Sequence, residues 1–237
     1  MRVAAAFLSV AVLGLVAAAP AAPRKPAAAA VDWTRTVAIQ PSGGYRMGNP
    51  KAKVRLIEYV SLTCPHCRTF DLEGGGPLIR NYVKTGRVSF ESRNFIRDPA
   101  DLGAALISRC NGAKSFFRLT RDLLKDQPVW FAKIQAVPNE RLEALQQLPS
   151  NRMVLEVAKI AGLQRWAAAR GVPVTKSRQC LTNTKEIDRL VRMAGGAIEE
   201  YPEFRGTPSF VVNGKLTEAS TWEQLERELR AALGEHG

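Results

Sequence analysis

Two cysteines separated by two residues, in Cys64-Pro65-His66-Cys67, are the side chains of this sequence best placed to do chemistry. Such a pair closes a small disulfide ring, and an attacking thiolate opens it again. The apolar run Val54–Val60 before it has the length and residue types of a strand, and Arg68-Thr69-Phe70-Asp71-Leu72 after it reads as the first turns of a helix. Cys64 then takes the N-cap and Pro65 the first helical position, where a missing N–H costs nothing. The free N–H groups and positive end of the helix face the Cys64 sulfur and favour its thiolate. His66 adds a donor or a positive charge beside it. A stabilised thiolate favours the dithiol form, which makes the disulfide the better oxidant.

Other uses of the pair fit less well. Zinc needs a second pair of ligands, but Cys110 and Cys180 stand alone and His236 lies in the C-terminal tail, so the spacing calls for no metal and no cofactor. A purely structural ring of this size would cross-link almost nothing. Glu58, six residues before Cys64, shares a strand face with Val54, Leu56 and Val60, which aims it at an apolar side. It is either an acid at a strand end, partly solvated or paired with a surface arginine, or a buried acid beneath the cysteines that passes protons to or from Cys67. Burial without a partner would raise its pKa.

The elements that must position these residues begin after an N-terminal segment that is not fold. Arg2 is a short charged region, Val3 to Ala19 is apolar or small throughout, and small residues offer cleavage after Ala19 or Ala21. Residues 1–21 read as a secretory signal peptide, with an uncleaved anchor as the other reading, and 22–35 as a Pro/Ala-rich linker. Export, with cysteines retained, places the protein in a compartment where disulfides persist, the periplasm in a bacterial-style cell. The formal net charge is +12, but Lys and Arg alternate with Asp and Glu along the expected helices and form no basic tract, so nucleic acid is not an expected partner.

From residue 36 to 98 the pattern is α/β. Thr36 to Gln40 reads as a short strand, Val54–Val60 as the next, and Val88 to Ile96 as a third, parallel to the second through the motif helix. Gly74-Gly75-Gly76-Pro77 interrupts that helix, so a break or kink is expected there. From 99 to 198 apolar residues recur at helical spacing, over Asp101 to Cys110, Ala113 to Leu124, Glu140 to Gln147, Arg152 to Ile160 and Lys185 to Met193. This block reads as an all-helical lobe with Phe116, Phe117, Trp130, Phe131 and Trp166 as its core aromatics or as an exposed patch. The sheet resumes over 199 to 234, with Phe210 to Val212 as strand, Asn213-Gly214 as a hairpin turn and a last helix from about Thr221 to Leu233.

Cys64-Pro65-His66-Cys67 after a strand, a helical insertion, then Gly206-Thr207-Pro208 before a strand and hairpin, resembles the DsbA-like thiol–disulfide oxidoreductases of the thioredoxin superfamily over about residues 36 to 234. The resemblance implies a thioredoxin fold with an inserted all-helical lobe. It also implies a cis Pro208 lying against the cysteines, and a Thr207 that offers backbone groups to a substrate strand. An acid occupies the spacing of Glu58 in such proteins, which favours the proton-transfer reading. The expected activity is donation of the Cys64–Cys67 disulfide to exported, folding proteins with free cysteines, the ring being restored by a membrane or soluble oxidase. An isomerase or reductase of the same fold, or a peptide-binding chaperone using the lobe, is the alternative, and a Cys64→Ser variant that keeps chaperone activity would single out the last. With Cys64 and Cys67 paired, the remaining pairing of four cysteines is Cys110–Cys180, a structural bridge in the lobe, unless both stay free as small buried hydrophobes.

Overall fold

The computed structural model describes residues 31–235, so the expected signal peptide and residues 22–30 of the expected linker lie outside the described residues. Residues Trp33–Arg35, at the end of that linker, form a 3-10 turn whose Trp33 ring packs against Gly86. Among the described residues no helix is long and apolar enough to cross a membrane.

Six strands make one mixed sheet: β1 (Val37–Ile39), β2 (Tyr45–Met47), β3 (Val54–Val60), β4 (Val88–Asn94), β5 (Ser209–Val212) and β6 (Lys215–Leu216), in the order β1-β2-β4-β3-β5-β6. β3 is central: Val54, Leu56, Glu58 and Val60 on one face are all buried, while on the other Tyr59 is buried, Ile57 half-buried and Arg55 exposed. It pairs parallel to β4, with Glu58 opposite Ser92, and antiparallel to β5, with Glu58 opposite Phe210. The three-residue β2 shows no period in the sequence and exists because β1 and β4 flank it.

The parallel β3–β4 pair needs a crossover, supplied by the helix that starts at Pro65. Gly74-Gly75-Gly76-Pro77 does not break it. α1 (Pro65–Phe70) runs on into wide π-type turns over Asp71–Gly75 and Leu78–Val83, and Gly76 and Pro77 keep helical φ and ψ. Wider turns accommodate a residue that brings no N–H and crowds the preceding turn. The glycines answer to packing: a Cβ on Gly74 would stand 2.8 Å from Trp222.

The helical lobe comprises α2 (Pro99–Arg109), α3 (Ala113–Lys125), α4 (Gln127–Gln135), α5 (Asn139–Gln146), α6 (Ser150–Ala161), α7 (Leu163–Ala168), α8 (Val174–Leu181) and α9 (Thr184–Glu200). α4, α7 and α8 do not stand out by periodicity in the sequence. Pro138, Pro149 and Pro173 occupy the N-caps of α5, α6 and α8, so these prolines separate helices by starting them. A last helix, α10 (Trp222–Leu233), opens on a Thr221–Gln224 capping box and closes on left-handed Gly234.

Two large buried clusters hold the layers. The lobe cluster gathers α2, α4, α6 and the second half of α3, with Trp130 among its largest side chains, and it includes Val60, Leu62, Cys64 and Cys67. Phe116 and Phe117, expected in the lobe core, belong instead to the sheet cluster with Tyr45, Phe90, Phe210 and Trp222, because the first turns of α3 lie on the sheet. Phe131 and Trp166 are partly buried against the lobe, so these aromatics form core and not an exposed patch. Arg109 fastens lobe to sheet. It is 5% exposed, donates to Glu186 at 2.6 Å and to the Gly43 carbonyl at 2.8 Å, and lies 4.8 Å from the centre of the Tyr45 ring.

Candidate active site

Cys64 is the extended N-cap residue of α1 and Cys67 lies in its first turn, both as free thiols. The N-cap position leaves neither sulfur open to solvent: Cys64 is 3% exposed and Cys67 fully buried. The cover is the Thr207–Pro208 loop, whose peptide bond is cis, and the protonated Cys64 Sγ donates to the Thr207 carbonyl at 3.1 Å. This contact joins two segments 143 residues apart.

The two sulfurs are pushed in opposite directions. The Cys67 thiol, donating to Cys64, holds Cys64 down to about 4; burial opposes this, and the Thr207 side chain and the backbone N–H groups of Cys67 and His66 add to it. Cys67 is pushed well up by burial first, then by the Cys64 and Glu58 charges. His66 serves Cys64 through its backbone, while its side chain is exposed. That side chain borders a groove of about 770 Å³, which is also lined by Phe70, Glu203, Thr207, Pro208 and Leu216.

Glu58 is 6% exposed, with apolar Val54, Leu56 and Val60 on its own strand face. Burial, and then the Asp71 carboxylate, push it up to about 8. Its neighbourhood with Cys67 is electrostatic, since a charged Glu58 raises Cys67 further. A carboxyl that ionises near neutrality beneath a thiol that resists ionisation can exchange a proton with it.

Asp101 and Gln127, which carry no mark in the sequence, hold the segment before Cys64. Asp101, 1% exposed, accepts from Ser61 Oγ at 2.6 Å, the Leu62 N–H at 2.8 Å and the Arg97 N–H at 3.1 Å. Gln127 Nε2 donates to the carbonyls of Leu62 and Cys64 at 2.7 and 3.0 Å. Asp98 caps α2 and accepts from Thr63 Oγ1 at 2.7 Å. Asp98-Pro99 is a helix-start signal visible in the sequence, but its second use, on Thr63, is visible only in three dimensions.

Cys110 and Cys180 are joined, with Cα atoms 5.7 Å apart, and tie the C-cap of α2 to α8. Both are half-buried.

The thioredoxin family model matches residues 41–231, a span that holds the cysteine pair, the helical lobe and the cis-proline loop. The chain belongs to the thioredoxin family. Among solved thioredoxin-family structures, a protein-disulfide isomerase from Novosphingobium aromaticivorans is 33% identical, with a TM-score of 0.74 over 79% of this chain and 96% of that one. Wolbachia pipientis alpha-DsbA1, at 22% identity and a TM-score of 0.65, covers 82% of this chain and 92% of its own and shares the fold. A Rickettsia felis protein, provisionally named a protein-disulfide oxidoreductase, is 30% identical over 80% of this chain and 60% of its own length. The chain spans about 60% of the length of the Rickettsia relatives that it matches.

Proposed function

We propose that this protein is a protein dithiol–disulfide oxidoreductase of DsbA type, exported to the periplasm, that donates the Cys64–Cys67 disulfide to folding proteins with free cysteines. The observation that carries the reading is the opposite displacement of the two thiols: Cys64 is held down to about 4 and Cys67 well above an ordinary thiol. A substrate thiolate attacks Cys64 Sγ, and Cys67 leaves and takes a proton from Glu58. The substrate's second thiolate then attacks the substrate sulfur of the mixed disulfide and releases Cys64 as a stabilised thiolate, a good leaving group. The groove beside His66 and Pro208 receives the substrate strand, with Thr207 offering backbone groups to it. An oxidase in the membrane or in solution restores the ring. Cys110–Cys180 serves as a structural bridge.

Brief alkylation of the dithiol protein near neutral pH, read by mass spectrometry, is expected to label Cys64 and spare Cys67; a label mainly on Cys67 overturns the assignment of roles. Equilibration with glutathione buffers is expected to give a potential well above that of thioredoxin, and a potential near thioredoxin's would make the protein a reductase. The isomerase reading draws on the name of the Novosphingobium neighbour. It requires net reshuffling of scrambled disulfides by the dithiol form, where the oxidant reading expects net formation of disulfides in a reduced substrate.

A further inference from the structure

The groove beside the cysteine pair is charged against the rest of the molecule. Lys and Arg outnumber Asp and Glu by 34 to 22 in the chain, yet the groove is lined by Glu73, Glu203 and Glu218 with Arg205 as its one arginine or lysine. The three carboxylates come from separate segments. Glu73 belongs to the wide turns of the motif helix, Glu203 to the loop that leads to cis Pro208, and Glu218 to the stretch between β6 and α10. All three side chains are exposed, and none forms an ion pair among the described residues, whereas Glu91, Glu186 and Asp126 each hold an arginine. Glu203 and Arg205 stand two residues apart on one loop and offset each other in charge, which leaves Glu73 and Glu218 as the surplus. Between these rims the floor is apolar, with Phe70 and Ala219 buried and Leu216 half-buried. An apolar floor with acids at its wet rim matches lysine and arginine, whose methylene stems cover apolar surface while the charged head stays in water.

We propose that Glu73 and Glu218 select the substrate, so that the groove takes an extended segment carrying lysine or arginine beside the cysteine that reacts with Cys64. The proposal rests on the oxidant reading above and names its substrate class: reduced proteins with cationic residues flanking a cysteine. A segment with Asp or Glu at those places meets like charge and is turned away. The bonds exchanged are those of disulfide donation. The substrate thiolate attacks Cys64 Sγ, the Cys64–Cys67 bond breaks, and a mixed disulfide forms. The substrate's second thiolate then attacks the substrate sulfur, the substrate disulfide forms, and Cys64 leaves as a thiolate. The substrate has given up two electrons and its two thiol protons, and the protein holds two reduced sulfurs. The carboxylates act earlier, on encounter, because rim charges steer association and choose partners more than they add affinity. Exposed charge pairs are each worth little and are screened over about 8 Å at physiological salt, so the selection shows as a modest, salt-dependent factor in rate.

Three synthetic peptides of one length, with the same two cysteines flanked by Lys, Gln or Glu, are mixed with the disulfide form of the protein, and the first turnover is followed by quenched flow and mass spectrometry. At low salt the Lys peptide is expected to react at least about tenfold faster than the Glu peptide, with the Gln peptide between them, and the ratio is expected to shrink as salt is raised. Flanking charge also alters the peptide thiols themselves, and a Glu73→Gln/Glu218→Gln variant measures that contribution. Its Lys-to-Glu rate ratio is expected to fall at least about fivefold below the parent's, and that of Glu73→Lys/Glu218→Lys lower still. A ratio taken within one protein cancels any change in the reactivity of Cys64. The same ratio in the parent and both variants overturns the proposal and leaves the oxidant reading standing, whereas a parent that oxidises none of the three peptides overturns that reading. Should a variant not fold, the salt series on the parent decides, and a ratio independent of salt overturns the proposal.

Discussion

Opening the Cys64–Cys67 ring at pH 7 frees a thiol that ionises in the folded protein, where it is held down to about 4, but stays protonated in the unfolded chain, where it titrates near 8.5. A depressed pKa contributes stability that is fully present above the unfolded value and is lost as pH falls through the folded one. At pH 7 the interval is three units at about 1.4 kcal/mol each, or about 4 kcal/mol. Solvent reaching the groove screens part of this, so about 2–4 kcal/mol is the expected gain of the dithiol protein. The ring favours the disulfide protein by about 2 kcal/mol through chain entropy, but that contribution does not vary with pH. Glu58 and Asp101, pushed up to about 8 and about 7, lower stability as pH rises. They do so in both redox forms and largely cancel in the difference. Urea unfolding of the two forms at steps from pH 4 to 8 therefore should show their stabilities diverging in favour of the dithiol form as pH rises. A difference independent of pH, or a thiolate absorbance that first develops near pH 8, would refute the reasoning.

Replacing Glu58 by Leu should stabilise the protein by about 2–5 kcal/mol above pH 8, because a buried carboxyl pushed up to about 8 costs most where it is forced to ionise, and the gain should shrink towards pH 5; equal gains at both pH values count against burial as the cause. Removing Cys110 and Cys180 together should cost about 4 kcal/mol, since their bridge spans 70 residues. Mild reduction that opens only the Cys64–Cys67 ring should leave two free thiols by counting under denaturing conditions, and four would disprove the bridge. Gly74→Ala should lower stability by about 1–3 kcal/mol through its clash with Trp222, and an unchanged urea midpoint would contradict that packing. Gln127→Leu leaves the Leu62 carbonyl without its donor and the Cys64 carbonyl with the Arg68 N–H alone, and should cost about 1–3 kcal/mol, checked by the same unfolding curves.

What the sequence determined by itself is what local chemistry encodes. Cys64-Pro65-His66-Cys67 specifies a helix start with a sulfur at its positive end, whatever surrounds it. The apolar Val54–Val60 run specifies a central strand, and Asn213-Gly214 a hairpin turn, which the structure shows between β5 and β6. The resemblance carried by Thr207-Pro208 extended this to a fold. Properties that depend on neighbours distant in the chain had to wait for the tertiary structure. Proline at Pro77 reads as a break, yet the helix continues through it in wider turns, with Gly74 in the same stretch packed on Trp222. Cys64 reads as the first residue of a helix, and only the fold brings a loop 143 residues away to cover it. Glu58 is ambiguous as a strand residue, and only the packing of the motif helix and α3 over its face of β3 removes its solvent and pushes its carboxyl up to about 8. Asp101 and Gln127 are ordinary helical residues in sequence. They become supports of the catalytic segment because the lobe folds back onto the residues that precede Cys64, and a buried backbone must find its hydrogen bonds there.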